Sequence, residues 1–459
     1  MGPRKGIQQI SKSIASPIKS IGEYVKPDRT REYYAGSGAT IVKVDFSTVP
    51  DSLTTQSFAG TPQTISDSNW QWVNSNDDLS GYHAPSGITT FDPNCALGEF
   101  GRVWYGGVTE EKGTLFYSDN LIGEKLNGGA SGVIDLKTVW GNDEIIGLGS
   151  LEDKLVIFGK QNIVIYSGAL NPATMVLEEI IRDIGLAGRD NVVYIGADDG
   201  KAPIEGLSTT VRNDLTRLLA TADLSTVKSV YYQKEGLMVT FMPEQSKAYT
   251  FDFSLGKREF PRITTWTFHD NPLCAVTTID GKMYMGISNA VAEYEGYYDT
   301  AFVDSTSTYG SSGVCVAAGN TWDGAVCWST VNYEYNWLFE TPWSDFKDPI
   351  FSKIIKSGLF TITGGKGASA TVEISKDYEE DSRFSKTFAL SSDSIFYLYG
   401  AASSLYGAAK YAPTSGPKEY KVSLARTGKT LRIKMTFDVK GRYSSLINLT
   451  LFTKQGKTR

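Results

Sequence analysis

LEDKLVIFGKQNIVIYSG (residues 151–168) decides the fold, because it reads as a strand, a polar turn and a second strand. A second copy of this hairpin, IDGKMYMGISNAVAEYEG, occupies residues 279–296. At an offset of 128 residues, Lys154 aligns with Lys282, Tyr166 with Tyr294 and Gly168 with Gly296. Since whole hairpins align, and not turns alone, the pattern indicates an internal repeat.

Looser copies of the hairpin turn at Lys112-Gly113, Asp199-Gly200 and Glu235-Gly236. The turns at positions 112, 153, 199, 235 and 280 are therefore 41, 46, 36 and 45 residues apart. Repeats of ~40–50 residues built from short strands are typical of β-propeller blades, which stack around a central channel. We expect an antiparallel β-propeller over residues 46–300; an ordinary β-sandwich, whose turns are also regular, is the alternative.

The rest of the chain also predicts strands, so the expected class is all-β. In TLRIKMTFDV (residues 430–439) apolar and polar residues alternate, which is typical of a half-buried strand. Residues 329–459 are accordingly predicted to form a C-terminal β-sandwich-like domain, joined to the propeller by a Gly/Ser/Thr-rich linker loop at 301–328. The Tyr/Gly/Ala-rich segment 391–416 is interpreted as a long surface loop. Within the repeats, only Ser208–Leu224 has a persuasive helical pattern.

Residues 1–45 are interpreted as a basic N-terminal arm. Apolar residues spaced three or four apart predict an amphipathic helix in its first 32 residues, which Pro17 should end or kink. Since the sequence shows no partner segment that would cover the apolar stripe, this stripe is predicted to dock on a neighbouring subunit or on the ring above, with the lysines at the rim of that contact. A membrane-surface helix and a flexible tail are the alternatives. The predicted docking residues are Ile7, Ile10, Ile14, Ile18, Ile21, Lys12 and Lys19.

Charge is distributed unevenly along the chain, whose formal net charge is −6. Residues 1–45 carry +4 and residues 415–459 carry +9, which leaves −19 on residues 46–414. An acidic body with basic ends predicts partners at the ends and a body that does not hold nucleic acid. No apolar run approaches ~18 residues, so no membrane span is expected. The start, MGPRKGIQQ, lacks the apolar segment of a secretory signal.

No arrangement of residues indicates catalysis, and neither an enzyme nor a cofactor or metal site is predicted. The two histidines, His83 and His269, are too few for a three-histidine metal site. Four cysteines in so long a chain do not imply a disulfide framework, although Cys315 and Cys327 could form a bridge. Trp70, Trp72 and Trp104 could stack on sugars, but core packing is the more common role of such residues.

The order of motifs resembles that of tail hub proteins of short-tailed bacteriophages, also called nozzle or tail tubular proteins. IIGLGSLEDKLVIFGKQNIVIYSG (residues 145–168) resembles a hairpin segment common in that family. IRDIGLAGRDNVVYIGADDG (residues 181–200) and GKMYMGISNAVAEYEG (residues 281–296) look like its later blades. The resemblance covers roughly residues 145–300 well and 329–459 loosely, and it does not extend to the arm.

This resemblance implies a structural protein of the virion tail. Members of the family form a ring, typically of six copies, below the portal and adaptor proteins at the capsid vertex. The ring conducts genomic DNA without binding it specifically, and fibre or spike proteins attach nearby. We therefore expect a virion protein assembled in the host cytoplasm. The alternative is a carbohydrate-binding or glycan-degrading propeller used in host adsorption, which would need paired carboxylates near exposed tryptophans.

Overall fold

The computed structural model describes most of the 459 residues of the chain. The described residues are 2–26, 28–48, 50–56, 69–74, 84–193, 217–218, 221–254, 262–346, 351–379, 384–391 and 417–455. Strands account for 53% of the structure and helices for 7%, which confirms the predicted all-β class. Of the predicted helix at 208–224, residues 217–218 are helical, whereas residues 208–216 and 219–220 lie outside the described residues. The turn at 199, His83 and nearly all of the 391–416 loop also lie outside them.

The chain divides into two compact units. One unit comprises Met1–Gln8, Tyr294–Val303 and Thr330–Arg459, and the other comprises Gln9–Glu293 and Asp304–Ser329. The structure therefore places neither a separate arm at 1–45 nor a free linker at 301–328. Most of the predicted arm belongs with the repeats, and most of the predicted linker does too.

Four successive sheets of the second unit each contain four antiparallel strands in chain order. Sheet 1 consists of β2 (Ile18–Val25), β3 (Arg31–Ser37), β4 (Thr40–Asp45) and β5 (Ser52–Thr55). Sheet 2 consists of β6 (Cys95–Glu99), β7 (Arg102–Gly106), β8 (Thr114–Tyr117) and β9 (Gly132–Asp135). Sheet 3 consists of β10 (Ile145–Leu151), β11 (Lys154–Gly159), β12 (Asn162–Ser167) and β13 (Val176–Arg182). Sheet 4 consists of β14 (Lys228–Tyr232), β15 (Leu237–Met242), β16 (Lys247–Asp252) and β17 (Arg262–Trp266).

Sheet 5 is the last of the repeats and takes one strand from the chain start. It belongs to a seven-stranded sheet whose first four strands, in order, are β18 (Cys274–Thr277), β19 (Met283–Gly286), β20 (Val291–Tyr294) and β1 (Ile7–Gln9). The two copies of the hairpin signature, in sheets 3 and 5, have the same structure. Lys154 begins β11 and Lys282 directly precedes β19, while Gly168 and Gly296 both have positive φ angles, of 71° and 65°. The hairpin turns predicted near 153, 235 and 280 are confirmed.

The first strand of each sheet lies closest to its neighbours. β6 contacts β10, β14 contacts β18, and β18 contacts β2, so the last sheet packs against the first. One apolar cluster joins sheets 1 and 5, and a second joins sheets 2 and 3. Glycines permit this close approach: a side chain at Gly286 would meet Ile18, and one at Gly106 would meet Ile145.

Short helices and two further strands also belong to the second unit. Its described residues include the α-helices α1 (Lys137–Trp140) and α2 (Ser312–Ala317), two helical residues at 217–218, and the 3₁₀-helices Pro172–Thr174, Arg189–Asn191, Leu224–Thr226 and Pro243–Gln245. The segment predicted to be a linker contains α2, β22 (Thr321–Trp322) and part of β23 (Cys327–Tyr333). A disulfide joins Cys315 and Cys327, the pairing that the sequence permits without requiring.

The first unit contains two antiparallel sheets that share one apolar core. The four-stranded sheet has the order β24 (Tyr335–Glu340), β29 (Leu431–Val439), β26 (Ser369–Lys376) and β27 (Phe384–Ala389). The three-stranded sheet has the order β28 (Lys418–Gly428), β25 (Lys353–Gly364) and β30 (Ser444–Gln455). β21 (Asp299–Asp304) lies parallel to β1. In β29, Leu431, Ile433, Met435 and Phe437 are buried, as the alternation predicts.

Candidate functional site at the inner strands and the N-terminal strand

A partly buried polar network lies among the first strands of the sheets. We call it the Arg189–Lys228 network; it contains Asn69, Asn94, Arg189, Asp190 and Lys228. Arg189 and Asp190 lie in the 3₁₀-helix Arg189–Asn191, which contacts both β10 and β14, and Lys228 is the first residue of β14. Gly188 before that helix has no room for a side chain, because a Cβ there would meet the carbonyl oxygen of Leu224.

Hydrogen bonds tie this network to several sheets. The Arg189 guanidinium donates to the carbonyl oxygens of Asn94 at 3.0 Å and Asn69 at 2.8 Å. The Lys228 ammonium donates to the carbonyl oxygen of Lys19 in β2 at 2.6 Å and also to the side-chain oxygen of Asn69. The donor Arg189 follows sheet 3, and the donor Lys228 begins sheet 4. Their acceptors lie in sheet 1 or in the segment before sheet 2, so the network cross-links the repeats.

Asp190 is the carboxylate that both cations share. It lies 3.1 Å from Arg189 and 3.4 Å from Lys228, and all three side chains are largely buried. Buried charges are tolerated when they are paired and hydrogen-bonded, as these are. The thiols of Cys95 and Cys274 lie nearby, and burial raises their pKa values to about 12 and about 11. These thiols are therefore protonated at neutral pH and unsuited to nucleophilic chemistry. We interpret the network as structural.

The N-terminal strand is the second feature of interest. Residues 6–14 run antiparallel to residues 289–296, and one of the hydrogen bonds joins the Ile14 amide to the carbonyl oxygen of Asn289 at 2.8 Å. The amide of Ile10 also donates to the carbonyl oxygen of Val291 at 3.0 Å. The beginning of the chain is thus hydrogen-bonded to the last repeat.

A buried ion pair holds the start of this strand. The Arg4 guanidinium donates to the two carboxylate oxygens of Asp299 at 2.8 and 2.7 Å, and both side chains are only 4% exposed. The same carboxylate accepts the amide of Ile7 at 3.0 Å. Arg4 also lies 4.1 Å from the ring centre of Tyr335, whose hydroxyl donates to the Arg4 carbonyl oxygen. Burial raises the pKa of Tyr335, which keeps that hydroxyl protonated as a donor.

The predicted amphipathic helix is wrong, because residues 18–25 form strand β2. The predicted docking residues pack within the chain itself. Ile7, Ile18 and Ile21 are buried, and the half-buried Ile10 and Ile14 pack against the cluster that joins sheets 1 and 5. Their docking on another subunit stays an untested prediction, and it would require this segment to leave its own sheets.

The two lysines predicted at a rim have different surroundings. Lys12 forms an ion pair with Asp323 at 2.7 Å, within the segment that the disulfide closes. Although burial acts to raise the pKa of Asp323, the hydrogen bonds from Lys12 and Trp328 and from two backbone amides hold it well below its usual range. Lys19 has an exposed side chain, and its carbonyl oxygen belongs to the Arg189–Lys228 network.

Asp51 connects the N-terminal segment to sheet 1. Its amide donates to the carbonyl oxygen of Ile10 at 2.7 Å, and its own carbonyl oxygen accepts the Lys12 amide at 2.8 Å. Burial, followed by the charges of Asp45 and Glu293, raises the pKa of the Asp51 carboxyl to about 7. This carboxyl therefore changes charge near neutral pH.

Sequence reasoning missed Arg4, Asp299, Asp51 and the Arg189–Lys228 network. Apart from the adjacent Arg189 and Asp190, the interacting partners lie far apart in the sequence; Arg4 and Asp299 are separated by 295 residues. No local spacing could have paired them. The usable signal was the aligned hairpins, which indicate an array of repeats that pack on one another.

Within the described ranges, no group of three or more His, Cys, Asp or Glu residues could hold a metal ion. No helix in the described part of the chain is long and apolar enough to cross a bilayer. The tryptophans considered for sugar stacking are packed instead: Trp104 is fully buried, and Trp72 stacks on Tyr34 with the ring centres 6.3 Å apart. Trp70 lies beside Trp72, at 5.8 Å between ring centres.

Comparison with known proteins gives distant structural likenesses only. No family model and no curated protein matches the sequence. The WD40 domain of Neurospora crassa Pan2 aligns at 10% identity and a TM-score of 0.35, covering 64% of this chain and 95% of that one. An arabinoxylan arabinofuranohydrolase of glycoside hydrolase family 43 from Bacillus subtilis aligns at 8% identity and a TM-score of 0.24, covering 95% and 79%.

The extracellular domain of a hybrid two-component system from B. thetaiotaomicron aligns at 9% identity and a TM-score of 0.31. The alignment covers 67% of this chain but only 42% of the length of that one. At these TM-scores the likenesses carry no conclusion about function.

Proposed function

We propose that this protein is a structural subunit of the tail of a short-tailed bacteriophage. In this proposal several copies, typically six, form a ring below the portal and adaptor proteins that conducts DNA during ejection. The observation that carries the proposal is the succession of equivalent hairpins in the order that resembles the tail hub family. Fibre or spike proteins would attach to the same ring.

The proposal includes a β-propeller in which sheets 1–5 are the blades. Contact of β18 with β2, and the apolar cluster shared by sheets 1 and 5, support packing of the last blade against the first. The N-terminal strand β1 would complete the last blade, a device that joins the two ends of a repeat array through backbone hydrogen bonds. The propeller would then extend from residue 7 to residue 294 instead of from 46 to 300.

The Arg189–Lys228 network bears on where DNA would pass. It occupies the space between the first strands, where the axis of such a propeller would lie, and its charged side chains are largely buried. The proposal therefore does not place the DNA passage within a single chain. A conduit would need several copies, and a closed ring arises when unlike surfaces of successive copies meet by rotation.

Charge supports a conduit that does not retain DNA. The −19 on residues 46–414 repels a polyanion, and each basic contact with phosphate would slow its passage. At least five of the eight basic side chains in residues 1–45 form ion pairs with acidic residues of the chain: Arg4, Lys12, Lys26, Arg31 and Lys43. The N-terminal charge is thus largely neutralised, so unspecific attraction of DNA would come mainly from the C-terminal 45 residues.

Electron microscopy of virions labelled with antibodies against this chain tests the proposal. The label should lie on the tail axis, directly below the capsid vertex. Label at fibre tips, or on the capsid surface away from that vertex, would refute the conduit. Label at fibre tips would favour the alternative role in host adsorption.

A further inference from the structure

The three-stranded sheet of the first unit has two long edges of nearly equal length. β28 spans 11 residues and β30 spans 12, and each is paired with the central strand β25. Among the described residues neither strand has a second partner strand. Both run antiparallel to β25, so they run in the same direction as each other.

The central run of the edge strand β30 lacks the charges and prolines that usually prevent edge-to-edge pairing. Proteins protect such edges with charges, prolines or very short strands. The run Asn448–Thr453, NLTLFT, contains neither a charge nor a proline, and it pairs regularly with β25 from Asn448 to Phe452. Its flank exposes Ile447 at 56%, and Phe452 within the run is 46% exposed. Backbone groups on the outer side of such a strand are a template for another strand.

The charges select which edge would cover β30. β28 carries Lys418, Lys421 and Arg426 against the single acid Glu419, so two copies of β28 would repel each other. The run Asn448–Thr453 of β30 carries no charge, so the basic side chains of β28 would not be repelled by it if the two strands lay side by side. β28 and β30 lie at opposite edges of one sheet. When β30 of one copy pairs with β28 of the next, the first copy still has a free β28 edge and the second a free β30 edge, so further copies can be added at both ends.

We propose that the edge of β30 in one copy pairs, in parallel, with the edge of β28 in the next copy, so that the three-stranded sheets join around the ring. This inference rests on the proposed ring. The β30 edge is thus covered by a second copy of this chain. The contact is heterologous, because it joins two different surfaces of the chain, and heterologous contacts form a ring when the rotation between copies closes.

Cysteine cross-linking of the full chain tests the pairing. Asn448 and Glu419 are both exposed, and both lie opposite Thr361 of β25. They are two strand spacings apart in one chain, about 9–10 Å, beyond the ~7 Å that a disulfide can bridge. The variant Asn448→Cys/Glu419→Cys should therefore form bonds only between copies. The second variant, Asn448→Cys/Lys421→Cys, tests the register in which β28 is shifted by two residues relative to β30. The native cysteines add little background, since Cys95 and Cys274 are buried and the others are bonded.

Assembled tails or purified rings are oxidised and separated on a non-reducing gel. At least one double variant should give a ladder that ends at the full ring, while each single variant should remain monomeric. If native mass spectrometry shows rings but neither double variant cross-links, the pairing is refuted and the ring survives. Efficient dimers from Asn448→Cys alone would indicate two-fold β30–β30 pairing and also refute it. If the unaltered protein forms no ring even in tails, the proposed function itself fails.

Discussion

Replacing Arg4 by alanine should strongly destabilise the N-terminal strand. The change removes both hydrogen bonds to Asp299 and leaves a carboxylate that is 4% exposed without its cation. Breaking a buried pair by removing one partner costs about 3–5 kcal/mol, because the remaining charge is uncompensated. Loss of the contact with the Tyr335 ring adds to the effect. Urea-induced unfolding, followed by tryptophan fluorescence and circular dichroism, measures the change in the free energy of unfolding.

Lys154→Ala is the matched control, since Lys154 and Glu178 form an ion pair at 2.5 Å that is substantially exposed to solvent. Exposed pairs contribute little, so this change should be far smaller than that of Arg4→Ala. The double variant Arg4→Met/Asp299→Leu should recover part of the loss, because it leaves no unpaired charge. If Arg4→Ala is no more destabilising than Lys154→Ala, the N-terminal segment is not held as described.

Three further predictions follow from the same contacts. Asp51→Asn should stabilise the protein at pH 8. Because the pKa of Asp51 is raised to about 7 in the folded protein, the wild type loses stability as pH rises from about 4 through 7, and the wild type and the variant should be equally stable below pH 4. Equal stability of the two at pH 8 would contradict this. Cys327→Ser should cost about 3 kcal/mol and speed hydrogen exchange within residues 304–329 while leaving the sandwich-like sheets protected; unchanged exchange there would contradict it. The full chain should bind duplex DNA more weakly than micromolar at about 150 mM salt, and Lys421→Glu/Lys454→Glu should weaken residual binding further; tight binding would reveal a basic groove that the net charge conceals.

The repeated hairpins could be predicted from the sequence because their information is local. A turn such as Glu152-Asp153 between two strands has its own signature, and Gly168 and Gly296 both occupy the left-handed conformation that glycine favours. The C-terminal strands were equally predictable from their alternation. The contribution of β1 to the last sheet was not, because it joins residues nearly 300 positions apart.

The wrong helix has a specific cause in β2. A strand normally places residues two apart on one face, so Ile18 and Ile21, three apart, suggest a helix. The pairing of β2 with β3 shifts between Ile18 and Ser20, which leaves Lys19 as an extra residue. Such a bulge returns Ile18 and Ile21 to the same buried side and mimics helical spacing. The predicted docking stripe was thus part of the chain's own core.

The copy number of this chain in isolated tails tests the central claim most directly. Native mass spectrometry of the tail complex measures it without any change to the protein. A closed ring of several identical copies, typically six, is the result that the conduit predicts. One or two copies per tail would contradict it, because so few chains cannot form a closed ring around DNA.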